Sequence, residues 1–471
     1  MEILHVTAEC YPVAKVGGLG DVAGALPKYQ CKHGHQAKLV MPMYKTTFLN
    51  NHSWEVDYKG RANLGDYFFN FTVIREKDKT LGFDLYLIDI NGLLDRPKVY
   101  GYDDDAQRFI AFQICVAMWL RQWQTFPDVV HCHDYHSGLL PFFFKFCYPF
   151  NVLKNVPTVL TIHNAEYQGW LDWRKSNWIP PFDEWKSGLL EWNKTINPLA
   201  SAIKNAWAVS TVSPSYLEEL RYKSNGLEAL FEYEKGKCSG ILNGIDTEVW
   251  NPGTDPLIEF NFDLANVDKG KYQNKEDICG NFDLDADRPL ITFIGRLVGE
   301  KAADVLPDSI AAVLRELDGK VNFLILGNGE PKIEAGLSAL KGYFPNSYDF
   351  YRGYNETLSH KLYAGADFLL MPSRVEPCGL NQMYALRYGT LPMVRRVGGL
   401  KDTVTDIGDG GFGFCFNHAS VDDIVSTCHR AVALFNQPKK LTAARKKMMQ
   451  IDHSWDNTVQ QYIDLYTSLR P

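Results

Sequence analysis

Lys15-Val16-Gly17-Gly18-Leu19-Gly20-Asp21 is the stretch that decides how this chain is read. It follows an apolar run, Ile3, Leu4 and Val6, and opens a helical pattern, so the glycines stand at a strand-to-helix turn. Glycines let the backbone approach a ligand, a helix N-terminus offers free N–H groups and a positive dipole end, and Lys15 adds a full charge. Together these features suit phosphate. The same glycines can also serve only to pack a helix onto a sheet, and one turn does not separate the two uses. A second phosphate-type set, Gly295-Arg296-Leu297 with Lys301, stands at another strand-to-helix junction far down the chain. Two such junctions imply two facing domains.

Strand-like runs alternate with helical patterns on both sides of the middle. In the first half the runs are Lys38 to Met41, Phe83 to Ile90, Asp128 to Cys132, Thr158 to Ile162 and Ala206 to Val212, with a helix from Asp104 to Trp123. The turn-rich Ile241-Leu242-Asn243-Gly244-Ile245-Asp246 follows, and polar, Asp- and Asn-rich sequence then runs to Arg288. A second series begins at Leu290 to Ile294 and continues with a helix from Ala302 to Leu317, Val321 to Leu326, a helix from Pro331 to Leu340, and Phe368 to Met371. Trp455 to Leu469 is amphipathic and expected to be helical. The expected fold is therefore α/β, with two doubly wound Rossmann-like domains at 1–243 and 244–454. Open parallel sheets bind ligands beyond the carboxyl ends of their strands, so two of them can close a deep cleft around one ligand.

With 471 residues, 45% of them hydrophobic, the chain can bury large cores. A net charge of −7 and the lack of a basic run argue against a nucleic-acid partner. No 18-residue apolar run and no leader pattern is present, so a cytoplasmic protein without a membrane partner is expected. The ten cysteines are scattered without a Cys-x-x-Cys pair and read as reduced core residues. Trp170, Trp173, Trp178, Trp185 and Trp192 crowd one stretch, suited either to sugar rings or to packing on themselves.

Three further constellations carry chemistry. Ser373-Arg374-Val375-Glu376-Pro377-Cys378-Gly379-Leu380 follows the strand ending at Met371 and sets Glu376 at a sheet edge. Alone, Glu376 could simply cap a helix. Paired with Val397-Gly398-Gly399-Leu400, whose backbone N–H groups can meet phosphate or sugar oxygens, it becomes a candidate acceptor for a sugar hydroxyl. His131-Cys132-His133-Asp134-Tyr135-His136 tempts a metal reading, but a binuclear-hydrolase pattern wants aspartate where Tyr135 stands, and no distant cluster supplies further ligands. No metal and no cofactor is expected. Asp134 and His136 are better read as lining the cleft, and Thr161-Ile162-His163-Asn164 repeats the geometry at the next strand.

The ordered set from the first turn through His163-Asn164, Asn243-Gly244-Ile245-Asp246, Gly295-Arg296-Leu297 with Lys301, Glu376 to Leu380, and Tyr388-Gly389-Thr390 to Leu400 resembles bacterial glycogen (starch) synthases over nearly the full length. These are retaining glucosyltransferases of family 5 with the GT-B architecture. The resemblance implies transfer of glucose from ADP-glucose, or UDP-glucose, to an α-1,4-glucan. It assigns the glucan to the N-terminal domain and the sugar nucleotide to the C-terminal one, with the 455–471 segment returning to the N-terminal domain. It further implies that Lys15, Gly17, Gly18 and Asp21 contact the donor, and that Arg296 and Lys301 grip the diphosphate. Asp134, His163, Asn164, Asn243 and Glu376 would surround glucose, Cys378, Gly379, Leu380, Gly398 and Gly399 would add backbone contacts, and Tyr354 would stack on the base. The chain departs from the family pattern at Val16 and Val397, where threonine is usual, and at Glu300-Lys301-Ala302, where Gln-Lys-Gly is common.

Rival readings fit less of the sequence. A nicotinamide oxidoreductase matches the spacing Gly18-Leu19-Gly20 with Ala23, but no acid ends the next strand at Val40-Met41. A GT-B enzyme acting on sucrose or a lipid shares most of the motifs. A non-catalytic glucan binder would explain the tryptophans but not the joint presence of Lys15, His163, Arg296, Lys301 and Glu376.

Overall fold

The computed structural model of the protein describes residues 1–469. The chain divides into two compact units, one formed by Met1–Gly244 with the stretch from Trp455 onward, the other by Ile245–Ser454. In both, the central parallel strands are short and mostly apolar. Thr158–Ile162 and Phe368–Met371 are buried at every position, as parallel strands covered by helices on both faces must be.

The first unit contains β1 (Glu2–Val6), β2 (Gln36–Pro42), β3 (Trp54–Leu64), β4 (Tyr67–Glu76), β5 (Asp84–Asp89), β6 (Val129–His133) and β7 (Thr158–Ile162). After a two-stranded pair, β8 (Glu191–Trp192) and β9 (Thr195–Ile196), come β10 (Ala208–Thr211) and β11 (Cys238–Gly240). The main sheet has the order β11-β10-β7-β6-β1-β2-β5-β4-β3. It is parallel except at the β3–β4–β5 edge. The winding reverses between β1 and β6, and the loops leaving the carboxyl ends of those two strands lie where α/β sheets take ligands.

The second unit contains β12 (Leu290–Leu297), β13 (Asn322–Gly329), β14 (Tyr348–Arg352), β15 (Phe368–Met371), β16 (Leu391–Arg395) and β17 (Phe414–Phe416). Its all-parallel order β14-β13-β12-β15-β16-β17 reverses between β12 and β15. Arg296 lies near the end of β12 and Lys301 follows that strand, while the Ser373–Leu380 segment follows β15.

The helix Trp455–Ser468 belongs to the first unit. Trp455, Val459, Tyr462, Ile463 and Tyr466 recur at helical spacing and pack on Val22, Leu26 and Tyr29 of the helix Gly18–Lys32, and on Ile3, Val129 and Val159 of the sheet. Arg470 and Pro471, the end of the segment expected at 455–471, lie outside the described residues. Two features differ from the sequence reading. The polar stretch read as running to Arg288 contains the helix Val267–Asn281, one face of which, including Lys271 and Lys275, is buried with its charges satisfied. Lys271 Nζ donates to the carbonyls of Tyr363, Ala364 and Tyr388 and to Thr390 Oγ1, while Lys275 Nζ lies 2.9 Å from Asp367. The helix expected from Ala302 begins only at Leu306, because Ala302 adopts a left-handed conformation (φ 52°) between two short 3₁₀ turns. All ten cysteines are free thiols. Among the described residues no helix is long and apolar enough to cross a membrane.

Candidate functional site

In the first unit, the loop after β1 and the turn after β6 meet at the winding reversal. Lys15 Nζ is held 2.6 Å from Asp21 Oδ1, with both side chains partly exposed. The glycine turn carries a carboxylate that sequence reasoning missed. Glu9 Oε2 accepts from the backbone N–H groups of Val16 (2.6 Å) and Gly17 (2.9 Å), and Glu9 Oε1 accepts from Tyr100 Oη at 2.7 Å. Burial raises the Glu9 pKa against these three donors. Two donors of the expected phosphate cradle are therefore taken by an acid, which suits the turn to hydroxyl groups more than to a second anion. The one available hint was an acid just past the end of the first strand. Val16, where the family carries threonine, is half exposed and engages through its backbone alone.

Asp134 stands immediately after β6 in a strained backbone conformation, φ 56° and ψ −172°. Its Oδ1 accepts from His163 N at 2.7 Å and Asn164 N at 3.4 Å, which ties the ends of β6 and β7 together. Burial pushes its pKa from 3.8 to about 7, opposed by those two N–H groups. Burial likewise pulls His163 down to about 3, so it works as a neutral imidazole. Asn243, at the close of this unit, is buried with Oδ1 lacking a hydrogen-bond partner among the described residues, an acceptor that a ligand hydroxyl would satisfy.

His136 is 5% exposed, stacked on Tyr100, tilted against Tyr135 and set edge-on to Phe109, and its Nδ1 has no hydrogen-bond partner among the described residues. The other two histidines of the motif, His131 and His133, lie beside His5 of β1, with donor atoms of all three within 4.8 Å of one another. Both ring nitrogens of each already hydrogen-bond protein groups, so a metal ion would have to displace those bonds. Of the crowded tryptophans, Trp170 and Trp185 stand 50% and 75% exposed, and Lys186 Nζ lies 3.7 Å from the centre of the Trp185 ring.

In the second unit, the reversal between β12 and β15 joins the two sets singled out from sequence. Lys301 Nζ donates to both oxygens of Glu376, at 2.7 and 2.6 Å, and Ser373 Oγ donates to Glu376 Oε2 at 2.8 Å. The carboxylate is nearly buried and the ammonium partly exposed. An ammonium has three donors, so one remains for a ligand oxygen on the open side. Arg296 is 45% exposed in its side chain, with Glu300 Oε2 at 3.4 Å. Gly398 (φ 45°) and Gly399 pass close behind Glu376, with Gly399 N donating to Glu376 O at 3.1 Å, and a Cβ at either glycine would collide with backbone oxygens of Glu376 or Cys378. Val397 precedes them with no side-chain cap. Cys378 is buried, Gly379 has φ 74° and Leu380 leads into the helix Asn381–Arg387. Tyr354 is 71% exposed beyond the end of β14.

Residues 2–233 match the family model described as starch synthase catalytic domain, and residues 274–448 match glycosyl transferases group 1. A glycogen synthase of Flavobacterium johnsoniae is 50% identical over 466 residues, covering 99% of this chain and 98% of that protein. The catalytic domain of starch synthase IV from Arabidopsis thaliana, bound to ADP and acarbose, superimposes with a TM-score of 0.91 at 30% identity, covering 99% of both chains. Sucrose-phosphate synthase from Thermosynechococcus elongatus, at 16% identity and a TM-score of 0.65 over 99% of this chain and 98% of that one, shares the fold.

Proposed function

Since the chain belongs to the family of glycogen and starch synthases, glycosyltransferases of the GT-B fold, we propose that it transfers glucose from ADP-glucose to the non-reducing end of an α-1,4-glucan with retention of configuration. The observation that carries this reading is the Lys301–Glu376 pair at the winding reversal of the second sheet, beside Arg296. As the anomeric C–O bond breaks, the sugar gains oxocarbenium character and the diphosphate gains negative charge. Lys301 and Arg296 are the cations that meet that charge, and preorganised donors of this kind are each worth roughly 3–4 kcal/mol. Glu376, held by Lys301 and Ser373, orients a glucose hydroxyl. The ADP bound to the Arabidopsis relative supports an adenine nucleotide as carrier, and the acarbose bound there supports a saccharide acceptor.

The first unit supplies the sugar contacts. Asp134, His163, Asn164, Asn243, Lys15, Gly17, Gly18 and Asp21 line the positions argued above, and the neutral His163 offers a polar contact that does not repel the developing positive charge. Same-face attack follows, with the departing phosphate taking the acceptor hydroxyl's proton. Cys378, Gly379, Leu380, Gly398 and Gly399 add backbone contacts, and Tyr354 stacks on the base. No metal is assigned a role. The test is elongation of a maltooligosaccharide with ADP-glucose or UDP-glucose, followed by NMR of the new anomeric proton. A new α-linkage from ADP-glucose is expected. A β-linkage refutes retention, preference for UDP-glucose refutes the donor, and no product from either refutes the reading.

A further inference from the structure

A continuous hydrogen-bonded chain runs from the core of the first unit to His163. His163 Nε2 meets His133 Nδ1 at 2.9 Å, His133 Nε2 meets His5 Nδ1 at 3.0 Å, and His5 Nε2 meets Gln30 Oε1 at 2.8 Å. The Gln30 amide nitrogen donates to Tyr466 Oη at 3.2 Å, and that hydroxyl lies 2.7 Å from His131 Nδ1. Every member is buried.

A neutral imidazole donates from one nitrogen and accepts at the other, so each bond dictates the next. Gln30 Oε1 can only accept, so His5 carries its hydrogen on Nε2 and accepts at Nδ1. His133 must then donate from Nε2 and accept at Nδ1. His163 in turn donates from Nε2, which leaves the lone pair on its Nδ1. A protonated ring would carry hydrogen on both nitrogens and break this direction, but burial pulls His5 to about 4, His163 to about 3 and His133 well below its usual value. The amide orientation that sets this direction has Gln30 Nε2 donating to Tyr466 Oη; the opposite orientation would reverse every bond and put the hydrogen on His163 Nδ1.

We propose that Gln30, His5 and His133 are positioning residues that lock His163 as its Nε2–H tautomer, so that His163 Nδ1 presents an acceptor to a hydroxyl of the bound sugar. The sugar contact rests on the function proposed above; the tautomer lock does not. The sequence separations are long, 25, 30 and 128 residues along the chain of side chains. No local motif announces it.

The test uses the full chain labelled with 15N in its histidine rings, where protonated and unprotonated ring nitrogens have well-separated shifts. His163 is assigned by the signals lost in His163→Gln. In the wild type His163 is expected with a protonated Nε2 and a bare Nδ1. Gln30→Met, which removes the fixed acceptor, is expected to shift His163 to a mixture of tautomers and to lower kcat for glucosyl transfer about tenfold, the worth of one net hydrogen bond, with the donor KM little changed. Should Gln30→Met not fold, Tyr466→Phe frees the amide while keeping the ring packing, and is expected to move His131 and His163 together. A wild-type His163 carrying its hydrogen on Nδ1, or His163 signals unchanged in both variants, overturns the lock. A tautomer change with unaltered kcat overturns the acceptor role. The ring signals are read without substrate, so wild-type protein that transfers no glucose refutes the proposed function separately.

Discussion

Replacing Asp134 with Asn is expected to stabilise the first unit at neutral pH. The side chain is 8% exposed and its pKa stands at about 7 against 3.8, with burial as the leading cause. A carboxyl whose folded pKa is raised gives stability that is complete below its unfolded pKa and lost as pH rises through the folded one. For Asp134 that window runs from pH 3.8 to about 7, and three pKa units correspond to about 4 kcal/mol. Asparagine keeps an Oδ1 to accept from His163 N and Asn164 N, tolerates the positive φ of 56°, and never ionises. By pH 5 the wild type has lost part of this stability and by pH 8 all of it. The advantage of Asp134→Asn is therefore expected to be about 2.5 kcal/mol larger at pH 8 than at pH 5. Urea unfolding followed by tryptophan fluorescence reads this unit selectively, since every tryptophan except Trp250 belongs to it. A difference between the two proteins that does not change with pH refutes the account of Asp134 as a desolvated carboxyl.

The second unit gives three more expectations. Arg296→Ala removes a side chain paired only loosely at 3.4 Å, so urea midpoints are expected within about 0.5 kcal/mol of wild type while turnover drops roughly 10²- to 10³-fold. Lys301→Ala leaves the Glu376 carboxylate with Ser373 alone. Between the values for exposed and buried pairs, about 2 kcal/mol of stability is expected to go, and Glu376→Gln in the same chain is expected to restore most of it in a double-mutant cycle. Gly398→Ala forces a Cβ into the carbonyl oxygen of Glu376 at a left-handed position, and a loss of at least ~2 kcal/mol with loss of transfer is expected from the same denaturation and activity assays.

Many of the parallel strands were legible because they are short, mostly apolar segments buried on both faces: Thr158–Ile162 and Phe368–Met371 are buried at every position. The β3–β4 hairpin was not, since most of Trp54–Leu64 is exposed or partly exposed and shows no clean alternation. The helix Val267–Asn281 was hidden for the opposite reason: its buried positions include Lys271 and Lys275, which reach Tyr363 and Asp367 far along the chain. Residues at turns after strands, Lys15, Asp134, His163, Lys301 and Glu376, could be singled out because the fold class fixes where such turns sit. The partners that tune them could not. Glu9 against Val16 and Gly17, and Ser373 against Glu376, each depend on the folded shape of a single loop, and Gln30 behind His163 is fixed by tertiary packing.

Transfer of labelled glucose from ADP-glucose into glycogen, measured for the wild type and for Lys301→Ala, tests the central claim most directly. Incorporation by the wild type that falls roughly 10²-fold or more in the variant is what a diphosphate held at the β12–β15 reversal predicts. Incorporation that survives in Lys301→Ala, or none with either nucleotide sugar in the wild type, contradicts it.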